Sequence, residues 1–387
     1  MNIALSIILG YLAIATIYYL FFSVGSLFPK KGTKASTLIN FNKIAVLIPA
    51  YKEDGVIVDS AIKALNQVYP PTMYSIYVIA DSLQKETIKA LKELPIKVIE
   101  VSFDKSTKAK ALNTAFDQID SSYQIAVILD ADNVMEVNFL QKINNAYNSG
   151  YSAMQGHRVA KNHDTKLATL DAVSEEINNS IFRSGHRALG LSSALIGSGM
   201  AFDYPLIKSE MAQIDAIGGF DKELELRLLK QRLTIGYLED AYVYDEKVSA
   251  EEAFTNQRTR WIAAQIRYGI NSFGDALIQL FTKLNVDYFD KSLQFLLPPR
   301  LILLGVNTIL ALVLTVLQQE LWLPMLGIWA SLIIALALAI PKKYWNAEML
   351  KACFRLPKTF WLMIKAFAGF KKAKTNFLHT PHQSVQS

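Results

Sequence analysis

The sequence predicts an α/β protein, a mainly parallel sheet clad by helices and set between membrane-crossing helices. Three observations carry that reading. Between residues 42 and 270, short apolar runs alternate with stretches of helical spacing, the pattern of a parallel sheet with helices on both faces. Residues 1–29 contain no charged side chain. Two further apolar runs, 301–317 and 321–340, are separated only by Gln318-Gln319-Glu320. Hydrophobic residues make up 51% of the 387 and charged residues 19%, against roughly 25% charged in soluble domains. A disordered chain is excluded and a fully soluble one disfavoured.

Residues 3–28 are long enough to cross a bilayer core, which needs about 20 residues. A signal peptide would want a basic leading segment and a shorter apolar core. Neither is present, so 1–29 is expected to be a retained anchor. Lys30, Lys31 and Lys34 follow it, which places its C-terminal side in the cytoplasm. Arg300 precedes the second apolar pair and Lys342 and Lys343 follow it, so 300–341 reads as a transmembrane hairpin with both feet in the cytoplasm. Segments 271–297 and 342–387 mix apolar with charged residues, and 350–370 carries Lys351, Arg355, Lys358 and Lys365; both suit the membrane interface. The expectation is a multi-pass inner-membrane protein with a cytoplasmic domain at 42–270.

The charge excess is modest, 40 basic against 34 acidic residues. With many lysines flanking apolar runs, it points to a lipid bilayer as partner and not to nucleic acid. The single cysteine, Cys353, makes no internal disulfide, which fits a reducing compartment. The five histidines are scattered, so no zinc cluster is visible.

Inside the domain, strands are predicted at 44–49, 75–80, 96–101 and 125–129, with helices at 56–68, 87–94 and 108–118. Ligands of such sheets bind at the carboxyl ends of the strands. That singles out residues 51–54, Asp81 and residues 130–133. Neither G-x-G-x-x-G nor G-x-x-x-x-G-K-[ST] occurs, which disfavours a dinucleotide dehydrogenase and a P-loop NTPase.

Asp130-Ala131-Asp132 follows an apolar strand. Two carboxylates spaced by one residue can hold magnesium or manganese, hard ions commonly completed by substrate phosphates. Asp81 can accept a hydrogen bond from a base or ribose, or cap the following helix. Lys108 and Lys110 open a helix and can offset phosphate charge, and Asn113 is expected to turn toward the site. Gln257, Arg260 and Trp261 fall at i, i+3 and i+4 of a helix expected at 251–270, so they share a face. The Arg fork suits pyrophosphate oxygens, and the Trp ring suits stacking on a sugar.

Taken in order, IPAYKED, VIAD, KAKALN, DAD and QRTRW resemble a membrane-embedded, processive family 2 glycosyltransferase, the group of the cellulose, chitin, hyaluronan and poly-N-acetylglucosamine synthases. The resemblance covers residues 42–270. It implies a GT-A fold, a UDP-sugar donor, Mg2+ or Mn2+, and inverting transfer of a hexose to a growing polysaccharide. One helix before the domain and two after it are fewer than cellulose synthase has, so a secretion channel would need interfacial helices, a partner subunit or a homo-oligomer. The alternative is a single transfer to a lipid acceptor, with a non-catalytic membrane scaffold a more distant reading.

The resemblance also assigns residues. Ala50, Tyr51 and Glu53 would line the uridine pocket, with Asp81 on the uracil. Asp130 and Asp132 would hold ribose, diphosphate and metal. Gln257, Arg260 and Trp261 would bind the diphosphate and the acceptor end. Residues 155–158 resemble the family's strand after D-x-D, and 196–200, with Gly199, its acceptor-side loop. The family's Thr-Glu-Asp is replaced by Gly-Gly-Phe-Asp-Lys-Glu at 218–223. Matching the following Leu-Glu-Leu makes Glu223 the expected base, Asp221 the second choice, and Glu239-Asp240 a structural strand end. Residues 377–382 resemble the gating loop of cellulose synthase, which would bring Thr380 and His382 to the diphosphate.

Overall fold

Four strands pair in parallel: β1 (Ile44–Tyr51), β2 (Tyr74–Asp81), β3 (Lys97–Val101) and β4 (Ile125–Ile128), in the order β3-β2-β1-β4. They read as near-continuous apolar runs because both faces are covered. Ala45 and Leu47 of β1 pack into one buried layer, with α4 (Lys108–Gln118). Ile44, Val46 and Ile48 pack into the other, with α2 (Ile57–Ala64) and α3 (Lys85–Lys92). The computed structural model describes residues 3–28, 40–216 and 218–370.

Beyond β4 the sheet departs from the expected parallel pattern. After β5 (Val134–Met135), α5 (Phe139–Asn148) and β6 (Ala153–Ala160), the chain forms β7 (Met200–Asp203), which lies antiparallel between β4 and β6. Met200 pairs with Ile128, so β7 starts at the carboxyl end of β4. The chain re-enters the sheet there through Gly197 and Gly199, both at positive φ (82° and 63°), a conformation that favours glycine. The last strand, β8 (Ile235–Asp245), runs parallel to β6 and carries β5 on its outer edge. A register shift at Gly156/His157 leaves Glu239 and Asp240 on an exposed bulge.

The other helices join this sheet to an apolar bundle. α6 (Lys166–Asn178) continues through a π turn, Asn179–Gly185, into α7 (His186–Ala188). The helix α1 (Ile3–Gly25) lies against that turn at Gly185, where a Cβ would collide with the Phe22 carbonyl oxygen. α8 (Tyr204–Met211) and α9 (Phe220–Lys230) cover the sheet. α10 (Glu251–Lys283) runs thirteen residues past the expected end at 270, so part of the expected interfacial segment belongs to it. α11 (Val286–Leu296) and α12 (Arg300–Val316) meet at 59°, and Pro298 and Pro299 account for the break. α13 (Trp322–Ala339), α14 (Ala347–Cys353) and α15 (Leu356–Gly369) follow.

Among the described residues, Leu5–Gly25 and Trp322–Ala339 are long and apolar enough to cross a membrane. The expected hairpin is uneven. With 17 residues, α12 spans about 26 Å, short of a ~30 Å hydrocarbon core, and it reaches span length only together with α11. Phe354, Trp361 and Phe367 of the last segment are exposed.

Candidate functional site

A cavity of ≈ 840 Å³ opens at the carboxyl ends of β1, β2 and β4 and continues between α12, α13 and α15. Its polar end is built from strand termini, as the topology dictates. Ala50, Tyr51 and Glu53 follow β1, Asp81 ends β2, and Asp130 and Asp132 follow β4; all line the cavity with Lys108 of α4. Asp81 does not cap α3. It is buried and accepts from Ser82 Oγ at 3.0 Å. Lys108 Nζ donates to Asp130 Oδ1 at 2.5 Å and to the Gly197 carbonyl at 2.8 Å. This lysine therefore ties the D-x-D turn to the loop before β7. Asn113 points elsewhere, donating to the Ile214 carbonyl.

Asp130 and Asp132 are joined by a third carboxylate that the sequence reading missed. Asp245, the last residue of β8, brings an oxygen to within 4.8 Å of theirs. Three hard oxygen donors this close suit a divalent ion of the magnesium or manganese type. Asn133 Nδ2 donates to Asp132 Oδ1 (3.2 Å) and Asp245 Oδ1 (3.1 Å), and the Glu246 N–H donates to Asp132 Oδ2 (2.9 Å). Burial pushes the Asp245 carboxyl up, but Arg158 and Lys247 more than reverse this and hold it below the ordinary carboxylate range. The same strand-end rule that singled out Asp81 applies to Asp245; the overlooked signal was Tyr-Asp-Glu at 244–246.

Behind this triad lies a buried set of charges. Glu175 accepts from Arg158 at 2.9 Å and from Arg183 at 3.1 Å, and Lys247 reaches Asp245 at 2.7 Å. Arg183, Lys247 and Glu175 are all buried. Burial alone would raise the Glu175 carboxyl, yet Arg158, Lys247 and Arg183 hold it far below its usual range.

Gln257, Arg260 and Trp261 line the cavity from α10, as their spacing requires. Burial lowers the Arg260 guanidinium and Asp130 counters it. Between them Arg258 forms an ion pair with Asp171 and stacks 4.2 Å from the Trp261 ring centre.

The two expected bases part company on α9. Asp221 lines the cavity, in the first turn after the Gly219 cap and about 4 Å from where a Gly197 Cβ would lie. Glu223, two residues on, is not among the lining residues; its Oε2 accepts from Tyr268 Oη at 2.8 Å. The helical period places the two residues on different faces. Glu225, on the Asp221 face, forms a buried pair with Lys291 of α11 at 2.8 Å and so ties α9 to the apolar bundle. Gly199 also lies off the cavity. Its carbonyl accepts from the Gly156 N–H at 2.7 Å and from Gln155 at 3.2 Å, leaving Gly197 as the loop glycine that faces the cavity. Thr380 and His382 lie outside the described residues.

The sequence model of the glycosyltransferase-like family 2 matches residues 42–264. The chain belongs to this family. It is a glycosyltransferase with a GT-A-like mixed α/β sheet. Among solved structures it is similar to the mannosyltransferase PcManGT from Pyrobaculum calidifontis in complex with GDP-Man and Mn2+. That match has 15% identity and a TM-score of 0.57, over 95% of this chain and 98% of that one. TarS 1–349 of S. aureus in complex with UDP matches at 15% identity and a TM-score of 0.45, over 86% and 90% of the two chains. No curated protein matches in sequence.

Proposed function

We propose that this family 2 member is an inverting, divalent-metal-dependent glycosyltransferase that moves a sugar from a nucleotide-diphospho-sugar to an acceptor at the cytoplasmic face of a membrane. The observation that carries the reading is the Asp130, Asp132 and Asp245 cluster in one cavity with Asp221 and Arg260. Ala50, Tyr51, Glu53 and Asp81 are placed to hold the nucleoside. Lys108 and Arg260 donate to the diphosphate. Asp221 accepts the proton of the acceptor hydroxyl, in preference to Glu223, because only Asp221 faces the cavity. The freed oxygen attacks the anomeric carbon, and the bond to the diphosphate breaks with its electron pair leaving on the nucleotide. A divalent ion held by the three carboxylates would supply positive charge against that leaving group. The Mn2+ in the P. calidifontis complex supports an ion of this kind.

The acceptor side favours a lipid. The cavity runs on between α12 and α13, where Leu301, Leu304, Ile333, Leu336 and Ile340 line it. Growth of a polysaccharide is the second reading, supported by Gln257, Arg260 and Trp261 all facing the cavity.

The test is nucleotide release by purified full-length protein across UDP- and GDP-sugars, with manganese or magnesium, beside Asp132→Asn. Release with one donor, lost with chelator and in the variant, is expected. Nucleotide release that chelator and Asp132→Asn leave intact would overturn the metal-dependent reading.

A further inference from the structure

The carboxylates lining the membrane side of the cavity are already matched: Asp171 to Arg258, Glu175 to Arg158 and Arg183. Arg300, like Arg267, lines the cavity with no carboxylate within 4.0 Å among the described residues. Arg300 stands at the first residue of α12, on the boundary between the polar end and the apolar arm. Nη2 donates to the Ser174 carbonyl at 2.9 Å and to Ser174 Oγ at 3.1 Å. Nη1 is buried and makes no hydrogen bond, and no carboxylate among the described residues lies within 4.0 Å of the guanidinium. A buried guanidinium edge without a partner is costly, and in a membrane protein such a charge marks a ligand path. The guanidinium, which also lies 6.0 Å from the Phe182 ring centre, is a planar fork that fits phosphate oxygens. The first turn of α12 adds the positive end of a helix dipole. Beyond Arg300 the lining turns to leucine and isoleucine from α12 and α13 and methionine from α14 and α15, which suits hydrocarbon chains.

We infer that the acceptor is a phospholipid whose head group carries a free hydroxyl. Its phosphate pairs with the Arg300 guanidinium, its chains lie in the apolar arm, and its hydroxyl stands on the Asp221 side of the cavity. This rests on the glycosyltransferase reading above. The hydroxyl proton passes to Asp221, the oxygen bonds to the anomeric carbon, and the nucleoside diphosphate leaves with the electron pair of the broken bond. The product is a glycophospholipid. Anionic lipids enriched in the cytoplasmic leaflet meet the chain on the side where Arg300, Lys342 and Lys343 lie.

The experiment uses the full chain in phosphatidylcholine vesicles supplemented with phosphatidylglycerol, phosphatidylinositol or diacylglycerol, or with inorganic phosphate in the buffer. Glycolipid formed from a hydroxylated phospholipid, and not from diacylglycerol, is expected. Arg300→Gln should raise the KM for that lipid about tenfold, the worth of a charge-assisted hydrogen bond, and Arg300→Lys should recover part of it. A purely structural role for Arg300 would also weaken binding of the donor nucleotide, measured by titration in the same variants. Equal transfer to diacylglycerol, an unchanged KM in Arg300→Gln, or competition by inorganic phosphate as strong as by phospholipid would overturn the proposal. Lipid extraction separates it from the reading beneath. Phospholipid that co-purifies with the wild type and Asp132→Asn but not with Arg300→Gln supports the seat even if no sugar is turned over. Transfer to soluble sugars with no lipid dependence overturns the lipid seat and leaves the glycosyltransferase standing.

Discussion

The two ends of the cavity handle buried charge in opposite ways. At the sheet end, Arg158, Arg183 and Lys247 are locked against Glu175 and Asp245 within 4.0 Å. At the membrane end Arg300 has Ser174 and the face of the Phe182 ring, and no carboxylate among the described residues. In the first arrangement every cation has a carboxylate partner, although Arg158 Nε makes no hydrogen bond, and the set backs the carboxylate triad. The second has one side of its fork left over. The difference is the counter-charge: a cation held by carboxylates suits scaffolding, and a cation without one in the same cavity suits an anionic ligand.

The comparison can be broken first at the triad. Asp132→Asn, or chelation, is expected to lower sugar transfer roughly 10³-fold or more, since metal stabilisation of leaving-group charge is worth several kcal/mol; nucleotide-release kinetics read it. Next comes the base. Asp221→Asn should lower kcat by about 10²–10⁴-fold with donor affinity retained, whereas Glu223→Gln should leave kcat near the wild-type value. The reverse pattern would return the base to Glu223.

Stability sharpens the contrast between the two ends. Glu175→Gln leaves two buried guanidiniums short of a counter-charge and should cost about 3–5 kcal/mol, seen as a marked fall in melting temperature in detergent. Arg300→Gln removes an incompletely paired charge and should leave the melting temperature unchanged or raised. A large fall there would mean that Arg300 is scaffolding too.

The smallest expected effect is acid sensitivity at Glu176, which accepts from His157 at 3.0 Å and pairs with Lys343 at 2.9 Å. Burial raises its carboxyl, but His157 and Lys343 outweigh burial and bring it from 4.5 down to about 2. A depressed carboxyl stabilises the fold fully above its unfolded value and loses that contribution as pH falls through the folded one. Stability should therefore decline between pH 4.5 and 2, and Glu176→Gln should flatten that limb in a pH series of melting temperatures.

Much of the site was legible before the fold was known. Apolar strands ending in Asp81 and Asp130, and the helical spacing of Gln257, Arg260 and Trp261, depend on local periodicity, and all of these residues line one cavity. The antiparallel β7 was not legible, because four residues after two glycines do not reveal their direction. Asp245 was missed because its neighbours in the triad are more than a hundred residues away in sequence. Glu223 was preferred over Asp221 on the match of a following tripeptide, which says nothing of which helix face meets the cavity.

The sequence by itself determined what is local: the alternation of strand and helix, the apolar segments, and the residues at strand ends and on one helix face. Periodicity and side-chain chemistry suffice for these. Only the tertiary structure decided which carboxylates converge, which acid on α9 faces the cavity, and that Arg300 stands where polar cavity meets apolar arm. Those facts depend on how distant segments pack against one another, and burial and charge pairing are properties of that packing, not of any one segment.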